Sequence, residues 1–167
     1  CTGSLTENLP PGLVGYIPGI GYFGIDCDAL RYIATFDGVF AETSINILEL
    51  LALIITASLT IQLHIRQHGT AQGCHFHIFC DNISAIAKAR THRSEHPIYT
   101  YLLHLLSYVQ LHHGCTVGSS FHPGILNTIA DAASRCFRVP NGQYLYNQYL
   151  RRLPRYQPSV ECIRGIS

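Results

Sequence analysis

Three carboxylates stand where a folded chain does not place them without cause. Glu49 is the sole charged residue between Thr43 and Arg66, inside the apolar run ILELLALII. A buried, unpaired carboxylate costs several kcal/mol, so it needs a cation or a proton. The plain alternative is a glutamate near a helix N-terminus that caps the helix or reaches solvent. Asp81 ends a predicted strand just before a predicted helix, and α/β proteins place their sites at the carboxyl ends of strands. The alternative there is an ordinary N-cap. Asp131 lies in NTIADAASR, early in the last predicted helix, where a positive helix end alone would favour it. Together the three could converge on one point. Converging carboxylates repel unless cations neutralise them, and oxygen-rich sites suit Mg²⁺ or Mn²⁺. Two such ions roughly 4 Å apart activate water and stabilise the leaving oxygen in phosphodiester hydrolysis.

The elements that must position these groups follow from periodicity. Residues 9–24 (LPPGLVGYIPGIGYFG) predict short strands joined by turns, and residues 31–40 another strand. Ser44 is a plausible N-cap for a long helix from about Ile45 to Ile65, ending before Gly69. The helix is apolar on nearly every face. Its length suits a membrane span, but Asn46, Glu49, Thr56, Ser58, Thr60, Gln62 and His64 interrupt it, which favours a buried core helix. His75–Asp81 predicts a strand of mixed burial, and Asn82–Arg90 a helix. His96–His113 predicts an amphipathic helix, with Ile98, Leu102, Leu105, Leu106 and Val109 at helical spacing. Thr116–Phe121 predicts a strand and Asn127–Cys136 a short helix. The expected fold class is α/β with a mixed sheet flanked by helices. Residues 1–137 read as the domain, and 138–167, rich in Arg and Pro, as a basic tail or a linker.

Composition agrees with a packed domain. Of 167 residues, 47% are hydrophobic and 13% charged, which excludes disorder. The chain begins with Cys1 and holds no Met; it reads as a piece of a longer polyprotein. Seven cysteines, an odd number without a CxxC pair, argue against a disulfide scaffold and for a reducing compartment. Residues 1–83 carry two basic and seven acidic side chains, or −5, and residues 84–167 nine basic and three acidic, or +6. An acid-bearing half and a basic half could hold metal ions and phosphates respectively, although chance partition of few charges gives the same asymmetry.

Three segments carry a family resemblance. PGILNTIADAASR (123–135) resembles the PG-x-x-N-x-x-AD-x-x-SR ending of retrotransposon ribonuclease H domains. INILELLALI (45–54) resembles their I-N-x-L-E-x-L-A helix, and FCDNISAI (79–86) their strand-end D-N/S-x-x-A. The likeness covers roughly residues 5–136 and is nearest to the domains of DIRS-type elements. It implies a ribonuclease H-like fold with a five-stranded mixed sheet, and four acidic ligands for two Mg²⁺ (or Mn²⁺) ions. Glu49, Asp81 and Asp131 match the second, third and fourth ligands. The family has Asp as the first, ahead of a G-x-G-G-Y-like turn that Gly12–Tyr16 matches. Register then places Glu7 in that position, with Asp26, Asp28 and Asp37 as candidates in another register. A carboxylate displaced by one methylene can cost about 100-fold in rate.

The resemblance implies hydrolysis of the RNA strand of an RNA–DNA hybrid, next to the reverse transcriptase domain of the same intracellular polyprotein, in cytoplasm or nucleus and off the membrane. Lys88, Arg90 and Arg93 could follow the hybrid's phosphates, or form a solvated helix end. Asn82, Asn127 and Arg135, from the matched motifs, are further candidate nucleic-acid contacts. An alternative function is an inactive ribonuclease H-like platform that binds nucleic acid or protein. A second is another nuclease on the same fold. His75 and His77 share a strand face that could suit Zn²⁺, but no second compact pair completes a tetrahedral site; His122 is a loop candidate beside the proposed metal site or a plain exposed histidine, and Tyr99, Tyr101 and Tyr108 read as packing residues. The Gly19-x-Gly21-x-x-Gly24 fingerprint lacks the flanking strand and helix that would make it a dinucleotide site.

Overall fold

A computed structural model describes residues 2–6, 9–26, 45–94, 97–123, 128–130, 144, 147–148 and 150–157. Strand β1 (Thr2–Thr6) pairs antiparallel with β2 (Leu9–Ile17), which pairs antiparallel with β3 (Gly21–Asp26). The predicted turn falls at residues 18–20. Helix α1 (Ile45–His68) follows, then β4 (His75–Cys80), α2 (Ile83–Thr91), α3 (Pro97–His113), β5 (Thr116–Phe121) and β6 (Arg155–Tyr156). The fold is mixed α/β with helices flanking the sheets.

Helix α1 is the hub, touching β1, β2, β4, α2 and α3. It is long and apolar enough to cross a membrane, yet 72% of the apolar window is buried inside the fold. Leu50, Leu53 and Ile61 are fully buried. Three of the polar interruptions are accommodated by the helix itself. Thr56, Ser58 and Thr60 each donate a side-chain hydrogen bond to the carbonyl four residues earlier, at 2.7, 2.9 and 2.7 Å. The helix runs one turn beyond Ile65 and closes at Gly69, whose φ of 84° suits glycine and whose N–H bonds to Ile65 O at 2.7 Å. At Gly15 in β2, an added Cβ would collide with the Phe23 ring and the Thr56 hydroxyl, so glycine lets the sheet approach α1.

The sheet differs from the single five-stranded one expected. The described residues form a four-stranded sheet, in the order β1-β2-β3-β6, and a separate parallel pair, β4-β5. No hydrogen-bonded pairing among the described residues joins the two; α1 bridges them by packing on both. The extra strand β6 is too short for any periodic signal. It lies parallel to β3, with Tyr22 N–H bonded to Pro154 O at 3.0 Å and Arg155 Nη2 to Gly24 O at 3.1 Å. Leu150, just before it, is fully buried. The predicted strand at 31–40 and Ser44 lie outside the described residues.

Helix α3 buries Leu102, Leu105, Leu106 and Val109, as its spacing predicts, together with Tyr99 and Leu103, while Ile98 is half-buried. Tyr101 and Tyr108 face solvent instead, 45% and 43% exposed, because they fall on the opposite side of the same helix.

Candidate metal centre

Strand β4 alternates, with Phe76, Ile78 and Cys80 inward and His75, His77 and Phe79 outward. Cys80, the last strand residue, is fully buried against α1. Its Sγ donates a hydrogen bond to Oε2 of Glu49 at 3.7 Å. Glu49, on the second turn of α1, is 2% exposed. Asp81 follows immediately, half-buried, with its Oδ1 shielded from solvent. Ligand atoms of Glu49, Cys80 and Asp81 all lie within 4.8 Å of one another. The structure therefore brings together a carboxylate on the second turn of α1 and a strand-end carboxylate that are distant in sequence.

The turn after β4 is fixed on both sides of Asp81. Asn82, not Asp81, is the N-cap of α2: its backbone is extended and its Oδ1 accepts from Ala85 N–H at 2.9 Å. The ordinary capping role is thus filled by the neighbour. The Asn82 amide also donates to Oδ1 of Asn46 at 2.8 Å. Asn46 precedes Glu49 by three residues, on the same helix face. One asparagine therefore ties the Asp81 turn to the start of the helix bearing Glu49.

Burial pushes the Cys80 thiol above its ordinary value, against a backbone hydrogen bond from Asn82 that pulls the other way. A protonated thiol donates to a carboxylate, as Cys80 does to Glu49. With the Glu49 and Asp81 carboxylates, the three side chains form a group that could hold a metal ion.

The other predicted site residues fall as follows. Glu7, Asn127, Asp131 and Arg135 lie outside the described residues. Lys88 is half-buried, with Nζ 3.4 Å from Ser84 Oγ and 4.5 Å from the centre of the Tyr99 ring. Arg90 and Arg93 are exposed. His122 is half-buried beside Phe79, with ring centroids 5.6 Å apart. It also lines a cleft of about 350 Å³ between the sheets, with Tyr16, Thr56, Thr60 and His77. That cleft opens about two turns along α1 from Glu49, so it is not the carboxylate site.

Sequence reasoning missed Asn46 and the role of Cys80. The i, i+3 spacing of Asn46 and Glu49 and the two-residue alternation of Phe76, Ile78 and Cys80 carried both signals. No family model, curated protein or solved structure matches this chain.

Proposed function

We propose that the chain is a ribonuclease H-like domain of a retroelement reverse transcriptase polyprotein, and that it hydrolyses the RNA strand of RNA–DNA hybrids. The observation that carries this reading is the meeting of Glu49 and Asp81. Two carboxylates, one from the second turn of a core helix and one from the end of strand β4, have no packing reason to share a site. The order of strands, long helix, strand, two helices and strand supports the same reading.

Glu49 and Asp81 would hold the divalent ions, with Glu7 and Asp131 completing the set that the motifs imply. Such ions supply an activated water and stabilise the leaving oxygen. The chain's own work is positional. Cys80 fixes one Glu49 oxygen by donating to it, and the Asn82–Asn46 bond holds the Asp81 turn against α1. Arg90 and Arg93, exposed at the end of α2 and just beyond it, can reach phosphates. Hybrid recognition then rests on backbone shape and 2′-hydroxyls rather than base sequence.

A second reading, an inactive binding platform of the same fold, is favoured by the burial of Glu49 and its thiol hydrogen bond. Labelled RNA–DNA hybrid and DNA duplex, each offered with Mg²⁺ or Mn²⁺, separate the possibilities. Cleavage of the hybrid alone supports the nuclease; cleavage of neither by the folded chain supports the platform. Cleavage of DNA duplex points to another nuclease class.

A further inference from the structure

The outward face of β4 carries a second constellation, unrelated to the carboxylates. His75 and His77 are both exposed, with ring centroids 6.0 Å apart. Each ring is held by one nitrogen. Nδ1 of His75 bonds to Thr116 Oγ1 at 2.7 Å, and Nε2 of His77 to Ser120 Oγ at 2.8 Å. Both hydroxyls come from the parallel neighbour β5, where His77 stands opposite Gly118.

The remaining nitrogens both lie over that glycine. Nε2 of His75 and Nδ1 of His77 lie 2.9 and 3.1 Å from one point, the position a Cβ on residue 118 would take. Any side chain there would push into both rings. Two imidazoles oriented through one nitrogen each, with the others over one glycine, resemble the way proteins fix histidine ligands to a metal.

We infer that His75 and His77 form a two-imidazole binding site for a borderline divalent cation of the Zn²⁺, Cu²⁺ and Ni²⁺ class. Imidazole nitrogen prefers these ions over Mg²⁺ or Ca²⁺. Thr116 and Ser120 act as positioning residues that set the ring faces, and Gly118 keeps the gap open. The site stands independently of the proposed nuclease, since neither histidine belongs to the Glu49–Asp81 group.

The test is a Zn²⁺ titration of the full chain by calorimetry, in excess Mg²⁺ so that carboxylate sites do not compete. Wild type is compared with His75→Ala, His77→Ala, Gly118→Ala and Thr116→Val, each checked for folding by circular dichroism. The expected result is one Zn²⁺ equivalent in wild type that is lost in either histidine variant. Gly118→Ala, which keeps both imidazoles, also binds more weakly, and Thr116→Val loses about 10- to 100-fold in affinity. Substoichiometric Cu²⁺ should broaden the His75 and His77 imidazole resonances of wild-type protein before those of the other histidines, a readout that needs no variant to fold. Equal stoichiometry and affinity in wild type and both histidine variants, or broadening that spares these two rings, overturns the site.

Discussion

The Asn82 side-chain amide donates to Asn46 Oδ1 at 2.8 Å across 36 residues of sequence, and so joins the cap of α2 to the first turn of α1. The same side chain accepts from Ala85 N–H. Removing it by Asn82→Ala takes away a cap worth about 1 kcal/mol and leaves Asn46 without this donor. A drop in urea-unfolding free energy of about 1–3 kcal/mol is expected. Asn46→Ala, which spares the cap, should cost less. Equal losses for the two variants would count against the cap as the larger part.

Gly15 sits where β2 packs closely on α1. Gly15→Ala would drive a methyl group into the Phe23 ring and the Thr56 hydroxyl, both in the core. Overpacking of this kind costs roughly 1–3 kcal/mol. Thermal denaturation of the variant reads it, and an unchanged midpoint would show that the sheet lies farther from the helix.

Cys74 is half-buried, whereas Cys80 and Cys115 are buried and burial pushes both thiols above their ordinary value. Only thiolate reacts with alkylating reagents. With iodoacetamide on the folded chain, peptide mass spectrometry should therefore find Cys74 labelled well before the other two. Unfolding in urea should bring all three to similar rates. Early labelling of Cys80 would mean that it does not lie closed against Glu49.

His113 is partly desolvated and stands beside His112, with ring centroids 4.7 Å apart. Desolvation first, and then the neighbouring imidazole, hold its pKa below 6.5. As the pH falls, the unfolded chain takes up this proton before the folded one does. The contribution is complete above pH 6.5 and is lost as the pH drops through that value toward the folded pKa. Melting curves of His113→Gln should accordingly fall less steeply with acid than those of wild type over about pH 7 to 5. Parallel curves would remove His113 from the account.

Much of the fold is legible in the sequence because its elements are long or strictly periodic. Leu102, Leu105, Leu106 and Val109 mark the buried face of α3, and the alternation from His75 to Cys80 marks β4. Thr56, Ser58 and Thr60 of α1 read as breaks in a membrane span, and each bonds to a carbonyl of its own helix. What is not legible is tertiary. A two-residue strand such as β6 has no period, and its partner β3 lies more than 100 residues away in the chain. The sequence points to Asp81 as a ligand or as a cap, and only the structure shows the cap to be Asn82. The split of the sheet into two has no sequence signature either, since residues on edge and central strands can share one pattern.

The most direct test of the central claim is a cleavage measurement on RNA–DNA hybrid with Mg²⁺ or Mn²⁺, using wild type, Glu49→Gln, Asp81→Asn and the double variant. Residues that act as one unit are strongly non-additive. The account predicts that wild type cleaves, that each single substitution abolishes cleavage, and that the double variant is no worse than either single one. Cleavage at the wild-type rate by either folded single variant would contradict it.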